Sequence, residues 1–280
     1  MDRKSQVVLI TGCSSGIGKS IAVELATRGQ IVHATARNAD SIIRMKGIHP
    51  LQLDVTKIET IKAAVSEVMR ISGRIDMLIN NAGFGLMGPV LELSLDAFRR
   101  QMETNVTGLL AVTQEVAPHM IRQGSGRIIN VGSVSGILTS PFAGAYCASK
   151  AAVHSLSDAM RLEMEPLGIK VITLQPGGVI SRFGDTATEG ISLCKDSFYA
   201  PIKSAIEERA RIGQVGSMDA DEFARIVTND LLADNPPAII RHAINSIKLP
   251  AIRWLLPVST QDKILRKKFK LNGLKKTTGS

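Results

Sequence analysis

Short, almost continuously apolar runs alternate with helical patterns between Val7 and Leu174, and this alternation constrains the fold more than any other feature. Each run ends at Gly, Asn, Asp or Pro, which is typical of parallel strands buried on both faces. Repeated strand–helix–strand order requires right-handed crossovers, so we predict an α/β fold with a doubly wound parallel sheet of about seven strands and helices on both faces. The predicted strands are Val7–Ile10, Ile31–Ala34, Leu51–Leu53, Met77–Ile79, Arg127–Val131, Lys170–Leu174 and a seventh near Ala238–Arg241; the predicted helices are Gly18–Arg28, Ile58–Ile71, Leu95–Arg122 and Tyr146–Glu165.

A chain of 280 residues with 44% hydrophobic residues can bury one large core. We interpret residues 1–241 as a single catalytic α/β domain and residues 242–280 as a basic, helical C-terminal extension. Within the domain, the long glycine-containing segment of about residues 181–218 follows the sixth strand, where ligands of such sheets bind. This segment is predicted to form a lid over the substrate.

The net charge of +9 arises entirely at the C-terminal end. Arg241–Ser280 holds ten basic residues and one acid, whereas Met1–Ile240 holds 24 of each sign. Basic residues that follow the apolar stretch Ile239–Leu256, with Trp254 where the two meet, suit peripheral contact with an anionic membrane. A helical extension that covers the substrate cleft, with its charges in water, explains the same pattern. Nucleic acid is not an expected partner, because the basic residues lack interleaved aromatic side chains.

The cysteines indicate a reducing compartment. Cys13, Cys147 and Cys194 are odd in number, far apart and without metal-ligand spacing, so we expect free thiols and no metal site. The polar start Met1–Gln6 predicts no secretory signal, and no uncharged apolar run approaches the ~18 to 20 residues of a spanning helix. We therefore expect a cytoplasmic protein, with peripheral membrane association left open.

Strand Val7–Ile10 runs directly into a glycine-rich turn at which a helical pattern begins. Glycines tighten such a turn and let the backbone approach a pyrophosphate, which then faces the N–H groups of the helix. A glycine-rich connection without a ligand has the same composition, but the strand–turn–helix context favours a dinucleotide site. The predicted cofactor-binding residues of the turn are Gly12, Ser14, Ser15, Gly16, Ile17 and Gly18.

The end of the second strand separates NAD from NADP. A carboxylate there binds the ribose hydroxyls, whereas a guanidinium binds the extra phosphate of NADP. The segment His33–Asn38 has no acid and contains Arg37, so NADP(H) is favoured over NAD(H). A solvated loop arginine would give the same sequence. Asp54, after the third strand, is a candidate for binding the adenine amino group or, equally, a turn former.

Tyr146 and Lys150 stand four residues apart, on one face of a predicted helix. A tyrosine titrates near pH 10, so it needs a neighbouring positive charge to work as an acid–base group at neutral pH. Ser133, just past the fifth strand, is placed to hold a substrate oxygen beside the phenol. Each group also has an ordinary structural explanation, because Ser133 can cap a turn and Lys150 can be a solvated helix residue.

Together these residues resemble the ordered motif set of the short-chain dehydrogenase/reductase family over about Val7 to Arg241. The set comprises Thr11–Gly18, Asn80–Gly83, Asn105, Ser133, Tyr146 with Lys150, and Pro176–Gly177. The resemblance implies a Rossmann-type fold and catalysis by Asn105, Ser133, Tyr146 and Lys150. Tyr146 would be the general acid or base, and Lys150 would lower its pKa while binding the nicotinamide ribose. Ser133 would orient the substrate carbonyl and Asn105 would support a proton-relay water, although Asn105 could simply satisfy backbone groups at a helix kink.

The resemblance also implies further cofactor contacts and an assembly. Asn81, Ala82 and Gly83 would line the adenosine side, together with Val55 beside Asp54. The stretch from Pro176 and Gly177 to Val179 would lie beside the nicotinamide. Ser181 stands where the family commonly has a threonine that binds the carboxamide. A homodimer or homotetramer would form on the helices near Asn105–Arg122 and Tyr146–Glu165.

Looser similarities point to the substrate. The turn, the Ala34–Arg37 stretch and Tyr146–Lys150 resemble the 17β-hydroxysteroid and retinol dehydrogenase branch, and Lys267–Leu271 resembles the acyl-dihydroxyacetone-phosphate reductases. Apolar lid residues agree with a lipophilic substrate, or they simply pack the lid against the body; these residues are Phe183, Leu193, Phe198, Tyr199 and Ile202. We expect an NADP(H)-dependent oxidoreductase that interconverts a ketone or aldehyde and an alcohol. The alternative is a non-catalytic NADP-binding sensor or membrane-tethered scaffold.

Overall fold

The computed structural model describes residues 5–181, 191, 193–213 and 216–274. Its centre is a seven-stranded sheet in the order β3-β2-β1-β4-β5-β6-β7, in which every adjacent pair is parallel. The chain order reverses between β1 and β4, so the expected doubly wound Rossmann-type sheet is confirmed. The strands are β1 Val7–Ile10, β2 Ile31–Ala36, β3 Ile48–Gln52, β4 Met77–Asn80, β5 Gly126–Val131, β6 Ile169–Leu174 and β7 Ile239–Ile240.

Helices cover both faces of this sheet. Their bounds are α1 Gly16–Thr27, α2 Ile58–Ser72, α3 Leu95–Met102, α4 Gly108–Gln123, α5 Gly144–Met164, α6 Lys203–Arg211, α7 Ala220–Leu232, α8 Lys248–Leu255 and α9 Val258–Lys268. One core lies between the sheet and α1 with α7, and a second lies between the sheet and α2, α4 and α5. This arrangement leaves the carboxyl ends of the strands open for a ligand.

The first strand shows why its apolar run is continuous. Val8 and Ile10 belong to one core, whereas Val7 and Leu9 belong to the other. Successive strand side chains point to opposite faces, so a strand covered on both faces needs apolar residues at every position. Each fully buried aliphatic side chain contributes roughly 1.5–3 kcal/mol to the stability of the fold.

The predicted helix Leu95–Arg122 is interrupted by a π-helical turn at Glu103–Thr107, which separates α3 from α4. Inside this turn Asn105 is buried and hydrogen-bonded to the backbone of Phe84. At the start of α4, a Cβ on Gly108 would lie 2.8 Å from the carbonyl oxygen of Val55, so only glycine allows this close approach. Apolar periodicity continues through the turn, and the sequence pattern therefore gives no sign of it.

The C-terminal extension packs against the segment that was expected to form the lid. Phe269 is buried in a cluster with Phe142, Ile202 and Ile206. Within the part of the chain that the structure describes, no helix is long and apolar enough to cross a membrane. Of the expected lid, the structure describes a short 3-10 turn at Ala200–Ile202 followed by α6. Residues 182–190, 192 and 214–215, which include Phe183, lie outside the described residues.

Candidate active site

The glycine-rich turn between β1 and α1 leaves room for a ligand at the helix start. Gly12 and Gly16 have φ values of 74° and 58°, which favour glycine. A Cβ on Gly12 would lie 2.9 Å from Cα of Ala82. The side chain of Ser15, which precedes the first residue of α1, forms no capping hydrogen bond. The first N–H groups of α1 therefore face the cleft without a side-chain cap, as an anion-binding helix start requires.

Asn81 ties the turn to the neighbouring strand. Its Nδ2 donates to the carbonyl oxygens of Thr11 and Gly12 at 2.9 and 3.0 Å. A Cβ on Gly18 would collide with the same amide group, so glycine is required at this position too. Asn81 thus holds the shape of the turn.

A cleft of about 1030 Å³ runs along the carboxyl edge of the sheet from this turn to Tyr146. Such a volume accommodates a dinucleotide together with a second molecule. Every residue that was predicted to contact the cofactor lines it: Gly12, Ser14, Ser15, Gly16, Ile17, Gly18, Arg37, Asp54, Val55, Asn81, Ala82, Gly83, Tyr146, Lys150, Pro176, Gly177, Val179 and Ser181. The uncapped N-terminus of α1 and the glycine-rich turn before it fit the pyrophosphate of such a dinucleotide.

The adenosine end of the cleft carries Arg37 and Asp54. Arg37 is exposed directly after β2, and Asp54 is partly buried after β3. The Asp54 carboxylate accepts hydrogen bonds from the backbone N–H and the hydroxyl of Thr56, at 3.0 and 2.8 Å. Asp54 is therefore the turn former that its sequence allowed, and it also lines the cleft. The guanidinium supplies positive charge at the end of β2.

Ser133, Tyr146 and Lys150 come together at the opposite end. The Tyr146 phenol is hydrogen-bonded to the Ser133 hydroxyl, and the Lys150 Nζ lies 5.9 Å from the centroid of the Tyr146 ring. Burial raises the pKa of Tyr146 to about 12, although the hydrogen bond from Ser133 opposes this shift. The phenol is therefore a proton donor in the free protein.

Lys150 is fixed from behind by the strand. Its Nζ donates to the carbonyl oxygen of Val131 at 2.7 Å. Burial lowers the pKa of Lys150 to about 8, because a charged ammonium loses hydration there. A lysine with a pKa near neutrality in a cleft is typical of functional sites, and it can exchange a proton at physiological pH.

Asn105 lies behind the cleft wall rather than in it. Its Oδ1 accepts from the backbone N–H of Phe84, and its Nδ2 donates to the Phe84 carbonyl and to the Ser149 hydroxyl, each at 3.0 Å. A Cβ on Gly83 would lie 3.0 Å from Asn105 Oδ1 and 3.8 Å from Lys150 Nζ, so this side chain is close to the lysine. Asn105 therefore satisfies backbone groups at a helix break, as its structural explanation required.

His154 belongs to the site although the sequence analysis did not select it. It lies one helical turn after Lys150, and its Nε2 accepts the backbone N–H of Ser133 at 3.3 Å. Its ring fills the space left by Gly132 and Gly136. Burial, followed by the charge of Lys150, lowers the pKa of His154 to about 4, so the ring is neutral and can accept this bond. The spacing of four residues from Lys150 was the signal that could have identified it.

The substrate end of the cleft is mainly apolar. Phe84 and Met87 line one side, while α9 and the residue after it contribute Leu265 and Phe269. The C-terminal extension thus covers the cleft, in agreement with one of its two sequence explanations. Arg209 of α6 also lines this end, and the sequence analysis gave it no role. In the described ranges no three His, Cys, Asp or Glu residues are grouped to hold a metal ion.

Comparisons with known proteins establish the family. A family model described as short chain dehydrogenase matches residues 6–191. The chain therefore belongs to the short-chain dehydrogenase/reductase family, and the expected family is confirmed. As a member, it is an oxidoreductase of alcohol and carbonyl groups that binds a nicotinamide cofactor.

Two relatives and one solved structure illustrate this similarity. The NADPH-dependent 1-acyldihydroxyacetone phosphate reductase of Saccharomyces cerevisiae is 29% identical over 279 residues, covering 95% of this chain and 92% of the yeast protein. Human 17-beta-hydroxysteroid dehydrogenase type 1 is 38% identical over 191 residues, covering 63% of this chain and 58% of the human protein. A short-chain dehydrogenase from Streptomyces avermitilis superposes with a TM-score of 0.77 at 26% identity and full coverage of both chains.

Proposed function

We propose that this protein is an NADP(H)-dependent oxidoreductase that interconverts a lipophilic ketone or aldehyde and the corresponding alcohol. The observation that carries the proposal is the joined arrangement of Ser133, Tyr146 and Lys150 at one end of a cleft that has the glycine turn and Arg37 at its other end. A protein that only binds NADP, without catalysis, has no need for a buried phenol that is hydrogen-bonded to a serine.

In the reductive direction, NADPH bound in the cleft would supply a hydride for the carbonyl carbon, and the carbonyl oxygen would then need a proton. The Ser133 hydroxyl holds the carbonyl oxygen, and Tyr146 donates its phenolic proton to it. A phenol with a raised pKa remains protonated for this step. Lys150 then returns a proton toward the phenolate, because its pKa of about 8 allows exchange near neutral pH. Asn105 keeps the Phe84 backbone and α5 in register beside this path.

NADP(H) is proposed over NAD(H) because positive charge, and no carboxylate, lies at the end of β2. The yeast relative is named as NADPH-dependent, which agrees with this choice. A lipophilic substrate is proposed because apolar side chains of the body and of the C-terminal extension line the substrate end.

The test is oxidation of NADPH and NADH in the presence of steroid, retinoid and acyl-ketone carbonyl compounds. We expect turnover with NADPH and one hydrophobic class. The Tyr146→Phe variant should lose about a hundredfold to ten-thousandfold in kcat while still binding NADPH. Tyr199→Phe is the matched control, because Tyr199 is the other tyrosine of the sequence and lies outside the cleft. Turnover by Tyr146→Phe equal to that of the wild type would show that the phenol is not the proton donor. No turnover by either protein, with NADPH still bound, would favour the sensor or scaffold instead.

Homo-oligomer formation is a further proposal. Exposed apolar side chains at Leu95, Phe98, Ile121 and Leu162 lie on α3, α4 and α5, which include the helices expected to form the contact. A Leu162→Lys variant should shift the molar mass measured by light scattering toward the monomer. An unchanged mass would place the contact elsewhere.

We also propose that the protein is located in the cytoplasm. Its C-terminal extension is proposed to contact a membrane surface, because this part of the chain also carries exposed apolar side chains. Trp254 and Leu255 are 68% and 78% exposed at the end of α8. Basic residues follow them in α9, with Lys263, Arg266 and Lys267 all exposed. Exposed aromatic and aliphatic side chains next to basic ones suit the surface of an anionic bilayer.

A further inference from the structure

Arg209 is a buried cation at the substrate end of the cleft. It lies in the last turn of α6, and only 8% of its surface is exposed. Its Nε donates to the Ser140 hydroxyl at 2.8 Å, and both residues line the cleft together with Tyr146. Because the side chain is buried and hydrogen-bonded, its guanidinium is held in one orientation.

This guanidinium has no carboxylate partner among the described residues. None of their Asp or Glu side chains forms an ion pair with it, and the bond to Ser140 is the one hydrogen bond that these residues provide. The titratable groups that act on its pKa are the thiol of Cys147 and the phenol of Tyr146, and the pKa of each is itself raised by burial, so both are neutral near pH 7. Burial lowers the pKa of Arg209, yet an arginine remains protonated in proteins. A buried charge that no carboxylate of the described residues neutralises is unfavourable, so its presence needs a reason.

The surroundings of Arg209 make an anion site of defined composition. Met87 and Ala143 pack with its neighbour Ala210 and with Tyr146 in one small apolar cluster. An ion pair formed beside this apolar wall is less screened than one at the surface, so it is stronger. After the bond from Nε, the guanidinium has four N–H groups on its two terminal nitrogens, and a fork of this geometry matches two oxygens of a carboxylate or phosphate.

We propose that Arg209 binds an anionic group, a carboxylate or a phosphate, that the substrate carries a few bonds from the carbonyl reduced at Tyr146. The proposal rests on the proposed oxidoreductase function and narrows its substrate class to amphiphilic carbonyl compounds. The apolar part of such a substrate lies against Met87, Leu265 and Phe269, while its anion pairs with Arg209. A site built to bind an ion in this way discriminates strongly against neutral analogues, because the buried charge is then left unpaired.

A different role for Arg209 makes a different prediction. If the guanidinium only stabilised the Tyr146 phenolate, its loss would slow all substrates equally and would move the pH profile. If it binds the substrate anion, its loss changes the preference between charged and neutral substrates. The two roles are therefore distinguished by the ratio of kcat/KM for charged and neutral substrates, and not by the kcat/KM of one substrate.

The experiment compares two matched substrate pairs with NADPH. One pair is a medium-chain 3-oxo carboxylate and its methyl ester, and the other is a phosphorylated hydroxyketone and its free alcohol. We expect the wild type to prefer the anionic member of at least one pair, and the pair that shows this identifies carboxylate or phosphate. Arg209→Gln should lower the ratio of kcat/KM for the anionic and neutral members by about tenfold to a hundredfold. Arg209→Lys, which keeps the charge but not the fork, should retain part of the preference.

Arg211→Gln is the control, because Arg211 is exposed on the same helix and does not line the cleft. It should leave the ratio at its wild-type value. Each variant is first checked for NADPH binding by fluorescence and for cooperative thermal unfolding. An equal loss for both members of each pair, or a wild-type preference for the neutral members, overturns the anion site.

Calorimetry of the NADP⁺-loaded enzyme with the same compounds separates this proposal from the proposed function. If no carbonyl compound is reduced, the oxidoreductase proposal fails, while binding of an anionic member that depends on Arg209 still supports the anion site. If carbonyl compounds are reduced but neither binding nor turnover distinguishes the charged members, the anion site alone is wrong.

Discussion

Arg37 is the residue on which the proposed preference for NADPH over NADH depends. A charge-assisted hydrogen bond contributes about 1.5–3 kcal/mol, and an exposed arginine should lie at the lower end of this range. We therefore expect Arg37→Leu to raise the KM for NADPH about tenfold and to leave the KM for NADH unchanged. Steady-state kinetics with each cofactor measures this.

Arg44→Leu is the control for Arg37, because Arg44 forms an exposed ion pair with Asp40 in the same loop and does not line the cleft. It should behave as the wild type with both cofactors. If Arg37→Leu raised the KM values for NADPH and NADH by the same factor, Arg37 would stabilise the loop and would not bind the extra phosphate of NADPH.

Lys150 should give the enzyme a basic limit to its activity. Its pKa is lowered to about 8, so the ammonium loses its proton as the pH rises through that value, while the Tyr146 phenol stays protonated to about pH 12. Because kcat/KM reports the ionisation of the free enzyme, kcat/KM for NADPH should be constant below pH 8 and fall above it. A pH–rate profile checks this. A profile that stays flat well above pH 8 would mean that the charge of Lys150 does not limit the reaction.

At the residue scale, the sequence pointed to the candidate catalytic groups more readily than to the groups that position them. Tyr146 and Lys150 were recognisable because their types and spacing have a chemical meaning. His154 and Arg209 contact the site through a strand-end loop and through α6, and these contacts depend on packing between distant segments. Asn105 was selected for a relay, but its clamp on the Phe84 backbone is a tertiary contact that no local pattern contains.

The loop that follows β5 packs against α5 at Gly136, and this joint brings the candidate catalytic groups together. A Cβ on Gly136 would lie 2.7 Å from the His154 ring and 2.9 Å from the carbonyl oxygen of Lys150. Gly136→Ala should therefore push α5 away from the loop that carries Ser133, lower the free energy of unfolding by about 1–3 kcal/mol and reduce kcat. Denaturant unfolding and steady-state kinetics measure the two effects.

Gly126→Ala provides the comparison for this joint. Its Cβ would meet the flexible Met120 side chain at the opposite end of β5 from Ser133. This variant is expected to lose stability without a change in kcat. If Gly136→Ala also kept its kcat, the close approach at the joint would matter for folding and not for the chemistry.

At the element scale, the strands were predictable because a continuous apolar run has one explanation in a sheet that is covered twice. The helix break at Glu103–Thr107 was not, since its cause is the side chain of Asn105 reaching another loop. The two short helices of the C-terminal extension were expected only as a general helical region. Their separation occurs at Pro257, between α8 and α9.

For the whole molecule, the C-terminal extension should bind anionic bilayers. We expect the protein to float with vesicles of phosphatidylcholine that contain phosphatidylserine, and not with pure phosphatidylcholine. Each basic residue near the surface contributes on the order of 1 kcal/mol, so added salt should release the protein. A Trp254→Ala, Leu255→Ala double variant should bind several-fold more weakly.

Leu91→Ala serves as the control for the vesicle experiment, because Leu91 is 82% exposed but lies outside the extension. It should float like the wild type. Equal binding to neutral and anionic vesicles, or an equal loss in both variants, would contradict the proposed surface.

The burial of Phe269 against α6 has a consequence for how this protein can diverge. The candidate catalytic residues lie on α5 and at the end of β5, whereas part of the wall of the proposed substrate site comes from a stretch near the end of the chain. Substitutions in α8 and α9 can therefore change which molecules fit without disturbing the glycine turn or the Ser133–Tyr146–Lys150 arrangement. Exchanging this terminal stretch between relatives should therefore change the substrate specificity and leave the candidate catalytic residues as they are.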